Sequence, residues 1–102
     1  EREEVKEYEI GRYRFHVTHQ TLEIDGQTET LSFRECEILR MLCQQKNEVL
    51  QRRPVLLELW GDDNFFNARS MDVFITKLRK KLKADPSVQI VNIRGIGYKL
   101  IV

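Results

Sequence analysis

The chain has 102 residues, 41% hydrophobic and 32% charged, with 17 Lys+Arg against 16 Asp+Glu. That length holds one compact domain and excludes a multidomain enzyme; a domain of this size buries only about two thirds of its extended-chain surface, which leaves little room for an interior cofactor cavity. No run of about 18 apolar residues and no basic-then-apolar opening occurs, so neither a membrane span nor a signal peptide is expected and the chain reads as a cytoplasmic one.

Residues 1–7, EREEVKE, are almost wholly charged and begin without Met, as a linker remnant from a longer protein would. From Tyr8 to Leu31 the residues alternate, with Tyr13, Phe15 and Val17 on one face, then Leu22 and Ile24, and Asp25-Gly26 as a turn. A small antiparallel sheet of four short strands is expected. Ser32-Phe33-Arg34-Glu35 has the form of a capping box and predicts a helix from Phe33 to about Lys46, with Ile38, Leu39 and Leu42 inward and Asn47 as its stop. Cys36 and Cys43 both lie in it, seven residues and therefore about 10 Å apart, too far for a disulfide. His16 and His19 are remote from both cysteines, so no metal site is expected.

Pro54 suits the first turn of a second, short helix carrying Val55, Leu56, Leu59 and Trp60, which Gly61 closes. Residues 61–68, GDDNFFNA, read as a loop. From Arg69 to Lys83, Met71, Phe74, Ile75, Leu78 and Leu82 mark one wall of a third helix, ended by Asp85-Pro86. Two β-runs around Gly95-Ile96-Gly97 close the chain as a hairpin. The order is four strands, three helices and two strands, an α+β fold.

Residues 1–68 carry 9 basic and 14 acidic groups, residues 69–102 carry 8 basic and 2 acidic. Opposite its apolar wall the third helix gathers Arg69, Val73, Thr76, Lys77 and Lys80. A helix that needs only solubility mixes Lys with Glu, whereas here Arg69, Lys77, Arg79, Lys80, Lys81 and Lys83 meet only Asp72. Such one-signed charge points to a polyanion, and an α-helix fits the DNA major groove. Arg94, beside the hairpin tip, can enter a minor groove; a solvated basic helix and an ordinary hairpin with an exposed Arg are the bland alternatives. No catalytic constellation is present: Glu35 is used by its cap, and Ser32, Ser70 and Ser87 have no histidine pattern near them. Neither enzyme activity nor a cofactor is expected.

Two helices, the second basic, followed by a β-hairpin describe a winged helix-turn-helix. Leu31-Ser32-x-x-Glu35-x-x-Ile38-Leu39, Leu56-Leu57 with Trp60-Gly61, Arg69-Ser70-Met71-Asp72-Val73-x-Ile75-x-x-Leu78-Arg79-x-Lys81-Leu82 and Ile93-Arg94-Gly95-x-Gly97-Tyr98 resemble the effector domain of OmpR/PhoB-type response regulators over residues 8–102. The resemblance implies a bacterial transcription factor with a four-stranded sheet, three helices and a wing. It also implies an N-terminal receiver domain phosphorylated through a sensor histidine kinase, and dimers on tandem DNA half-sites. By the same resemblance Ser70, Val73, Thr76 and Lys77 face bases and Arg94 reaches the minor groove. Trp60, Arg69, Arg79 and Tyr98 meet phosphates, and Lys80 joins them from the basic face. The segment 61–68, with Asp62, Asp63, Asn64, Phe65, Phe66 and Asn67, resembles the loop that contacts RNA polymerase; the alternative is that the two phenylalanines pack the loop down. Phe74 stands where many members have a phosphate-contacting His, and Thr76 where a basic residue is frequent. The competing class is a winged helix that uses its basic helix to bind an acidic protein.

Overall fold

The computed structural model describes residues 6–102; residues 1–5 of the expected linker lie outside the described residues, and Glu7 opens the first strand. Strands β1 (Glu7–Ile10), β2 (Tyr13–His16), β3 (Thr21–Ile24) and β4 (Gln27–Thr30) form the antiparallel sheet in chain order. Alternation buries Ile10, Tyr13, Phe15 and Leu22 and turns Arg14, His16 and Glu23 outward. Asp25 and Gly26, both left-handed at φ 51° and 80°, make the two-residue turn between Ile24 and Gln27.

Helix α1 (Phe33–Gln44) starts with the expected box: Ser32 Oγ accepts from the Glu35 N–H at 3.3 Å, and Glu35 Oε1 accepts from the Ser32 N–H at 2.7 Å. Cys36 and Cys43 are free and buried, and burial pushes their thiols up to about 11 and about 12, which makes them inert packing groups. After the helix comes a strand that sequence patterning missed, β5 (Val49–Gln51). Three residues are too few to show a period. The strand exists because β7 (Gly97–Ile101) offers it an edge, in a second sheet of order β5-β7-β6 with β6 (Gln89–Ile93). Gly97 faces Gln51, and any Cβ there would run into the Leu50 carbonyl.

Helix α2 (Arg52–Trp60) ends at Gly61, left-handed at φ 80°. Helix α3 (Phe65–Lys81) begins four residues before the expected Arg69 and ends before Lys83. Its start is set by Asn64, whose side chain accepts from the Asn67 N–H at 2.9 Å, while the apolar wall begins only at Met71. Met71, Ile75 and Leu78 are fully buried and pack α3 against α1, α2 and β6. Asp85, 5% exposed, ties the end of α3 to the first sheet: it accepts from the Arg12 N–H at 2.8 Å and the Ser87 hydroxyl at 2.7 Å. Among the described residues no helix is long and apolar enough to cross a membrane.

Candidate nucleic-acid interface

Burying Met71, Ile75 and Leu78 turns the opposite face of α3 outward, and Arg69, Val73, Thr76, Lys77 and Lys80 are all exposed on it, with Ser70 half-buried beside them. Val73, 54% exposed, places an apolar patch among cations. The Thr76 hydroxyl donates to the Asp72 carbonyl at 3.0 Å, so its oxygen remains free to accept. Lys77 Nζ stands 5.3 Å from the centre of the Phe74 ring, and the Arg69 guanidinium 5.6 Å from that of Phe65. No salt bridge among the described residues involves Arg69, Lys77, Lys80 or Arg94.

Two members of the basic block are anchored within the fold, Lys81 through its charge and the exposed Arg79 through one N–H. Lys81 pairs at 2.9 Å with Glu35, whose side chain is only 4% exposed, and also donates to the Thr30 carbonyl at 3.1 Å. Arg79 Nε donates to the Ile90 carbonyl at 2.8 Å, which seats this expected phosphate ligand on β6. Arg79, Lys80 and Lys81 also occupy the last turn of α3, where cations favour the negative end of the helix dipole. Of the remaining expected phosphate ligands, Tyr98 is 3% exposed and belongs to the core, while Trp60 is half-buried at the end of α2.

The wing tip is a three-residue loop between Ile93 and Gly97, with Arg94 and Ile96 exposed and Gly95 left-handed at φ 77°. The Arg52 N–H at the start of α2 donates to the Ile96 carbonyl at 2.9 Å, which fixes the wing relative to the helices. Between wing and α3 lies a cleft of 410 Å³ whose arginines are largely occupied: Arg52 faces Asp72 at 3.9 Å and Arg53 faces Asp63 at 3.0 Å.

The expected loop 61–68 is shorter than its sequence implies, since only residues 61–64 link the helices. Asp62, Asp63 and Asn64 lie in the linker, whereas Phe65, Phe66 and Asn67 form the first turn of α3. Phe65 and Phe66 are 67% and 77% exposed and meet edge to face at 5.9 Å. They therefore do not pack the linker down.

Sequence reasoning also missed Arg34. Its guanidinium lies 4.3 Å from the Trp60 ring centre and Nη2 donates to the Leu59 carbonyl at 3.1 Å. The available signal was a cation in the first turn of a helix, where the dipole disfavours it.

Residues 26–100 match the family described as "Transcriptional regulatory protein, C terminal". The chain is 53% identical over 94 residues to the transcriptional regulatory protein RprY of Bacteroides fragilis (strain YCH46), covering 92% of this chain and 40% of that protein. It thus spans about two fifths of that relative's length. Among solved structures, the RstA DNA-binding domain of Klebsiella pneumoniae in complex with the RstA box superposes with a TM-score of 0.77 at 26% identity, covering 95% of this chain and 98% of that one. The response regulator DrrB of Thermotoga maritima, an OmpR/PhoB homologue, gives 0.78 at 28% identity, covering 95% of this chain and 45% of that one.

Proposed function

Because the chain belongs to the C-terminal family of transcriptional regulatory proteins, we propose that it is the output domain of a two-component response regulator and acts by binding specific double-stranded DNA. The observation that carries this reading is the outward face of α3, where Arg69, Lys77 and Lys80 surround Val73 and have no carboxylate partner among the described residues. Placed in a major groove, Val73 meets a thymine methyl, Lys77 reaches guanine acceptors, and the Thr76 oxygen accepts from an adenine or cytosine amine. Ser70 stands at the edge of that set. Arg69 and Lys80 are the phosphate ligands, helped by Trp60. Arg94 enters the adjacent minor groove. Arg79 is exposed and anchored on β6 through Nε alone, so its terminal N–H groups are left for phosphate, while Tyr98 holds the wing root in place with any phosphate contact left to its outer edge. The family works by binding, and no catalytic step is part of this reading.

The larger assembly belongs to the same proposal. A receiver domain addressed by a sensor histidine kinase, dimerisation on tandem half-sites and a bacterial cytoplasmic location are read for the whole protein. RNA polymerase is the proposed partner of the α2–α3 linker and of the exposed Phe65–Phe66 pair that follows it.

Duplex selection with the 102-residue chain, followed by titration of the enriched site and a scrambled control at several salt concentrations, tests the DNA reading. Enrichment with a large specific-to-random ratio is the expected result. Salt-sensitive binding without enrichment would instead support a basic module for an acidic protein partner. Thr76→Ala and Lys77→Ala should weaken the specific site more than random DNA, because base contacts carry the sequence information.

A further inference from the structure

Resting on the DNA-binding reading, we propose that Arg34 of α1 is an additional phosphate ligand, held on Trp60, that brings the first helix into the interface. Arg34, Trp60, Phe74 and Lys77 form a continuous strip across three helices. The Arg34 guanidinium covers Trp60 at 4.3 Å, Trp60 meets Phe74 at 6.1 Å between ring centres, and Lys77 covers Phe74 at 5.3 Å. Phe74 and Lys77 are one turn apart on α3, so the strip runs directly into the face that presents Val73 and Thr76. Arg34 therefore borders the side of the molecule that the recognition helix turns outward.

Three observations separate this arginine from a structural one. First, it stands in the first turn of α1, where the positive end of the helix dipole opposes a cation, so its charge does not serve the helix. Second, no salt bridge among the described residues involves it, in contrast to Arg52 with Asp72 and Arg53 with Asp63. Third, its orientation is set in advance: a ring face and the Leu59 carbonyl use one side and one N–H of the fork, which leaves other donors for a bidentate acceptor. A guanidinium stacked on a ring, with the fork still open, suits a phosphate and loses little side-chain freedom when one arrives. Phe74 offers no polar atom on this stretch, so Arg34 adds a charged donor beside Trp60 that can pair with the strand flanking the groove.

The test uses the 102-residue chain and its selected duplex, with a scrambled duplex alongside, titrated across salt. Arg34→Gln removes the charge yet keeps a donor for the Leu59 carbonyl. It should lower affinity about five- to tenfold on both duplexes and reduce the slope of log K against log salt by about 0.9, as loss of one phosphate contact requires. Arg34→Lys should restore the slope, and Arg14→Gln, on the outer face of the first sheet, should leave it unchanged. Ethylation interference on the selected duplex should lose one phosphate in Arg34→Gln, a readout that a packing defect would not move. An unchanged slope and an unchanged interference pattern in Arg34→Gln, with sequence preference intact in the parent chain, would overturn this inference alone. Absence of sequence preference in the parent chain would overturn the regulator reading and this inference with it.

Discussion

On the outer face of the first sheet, basic side chains sit opposite carboxylates: Arg14 meets Glu7 at 3.3 Å, and His16 lies between Glu7 and Glu23, at 3.2 Å from each. On the outer face of α3, cations rest on aromatic rings instead, Lys77 on Phe74 and Arg69 on Phe65, without a carboxylate partner among the described residues. Both surfaces are rich in charge, and the chain as a whole is balanced at +1. The contrast teaches that pairing, more than net charge, marks a surface for an outside anion. A cation already neutralised by a neighbour must break that contact to bind elsewhere, whereas one held over a ring keeps its field and its donors.

Lys81 gives the sharpest way to break this distinction, because it lies in the basic helix yet behaves like a residue of the paired region. Glu35→Ala removes its buried partner and the Ser32 cap together, and should cost about 3 kcal/mol of stability in a urea titration. DNA affinity of the folded fraction should change little. Lys77→Ala should reverse that profile: about tenfold weaker binding to the selected duplex, with stability altered by less than about 0.5 kcal/mol. Equal stability losses in both variants would erase the contrast.

Asn64→Ala probes the junction between the two behaviours, since its side chain starts α3. Loss of the cap should cost about 1 kcal/mol by thermal unfolding.

Acid should act through two of the paired carboxylates. The Ser87 hydroxyl, followed by the N–H groups of Arg12 and Ser87, holds the Asp85 carboxyl below its usual range. Burial works against ionisation of Glu35, yet the Ser32 N–H, the Lys81 ammonium and the Ser32 hydroxyl together lower it. Both groups bind protons more weakly folded than unfolded, so their stabilisation is complete well above pH 4 to 5 and is lost as pH falls through the unfolded values, about 4, toward the folded ones. Unfolding curves from pH 7 to 3 should show this loss, and Ser87→Ala should weaken the Asp85 share.

Phe65→Ser with Phe66→Ser is expected to have the smallest effect on the domain itself. Both rings are exposed, so stability should move by less than about 0.5 kcal/mol. Binding of RNA polymerase to the chain should fall; unchanged binding would remove these rings from the proposed polymerase contact.

Much of the architecture was legible because local chemistry encodes it. Alternation with Asp25-Gly26 announced the first sheet, Ser32 and Glu35 announced α1, and the spacing of Met71, Ile75, Leu78 and Leu82 announced the buried wall of α3, hence also the face left outside. These signals act over a few residues, where backbone preference and period are readable without knowing what lies across the core. Tertiary structure alone decided β5, because three residues become a strand only when an edge distant in sequence accepts their hydrogen bonds. It decided that Lys81 is paired and Arg79 anchored by one N–H, since Glu35 and the Ile90 carbonyl reach them from other elements. It also set Arg34 on Trp60 and drew Tyr98 into the core. A sequence reports which charges a chain carries; which of them are left without a partner depends on contacts between residues far apart along it, and those exist only once the chain is folded.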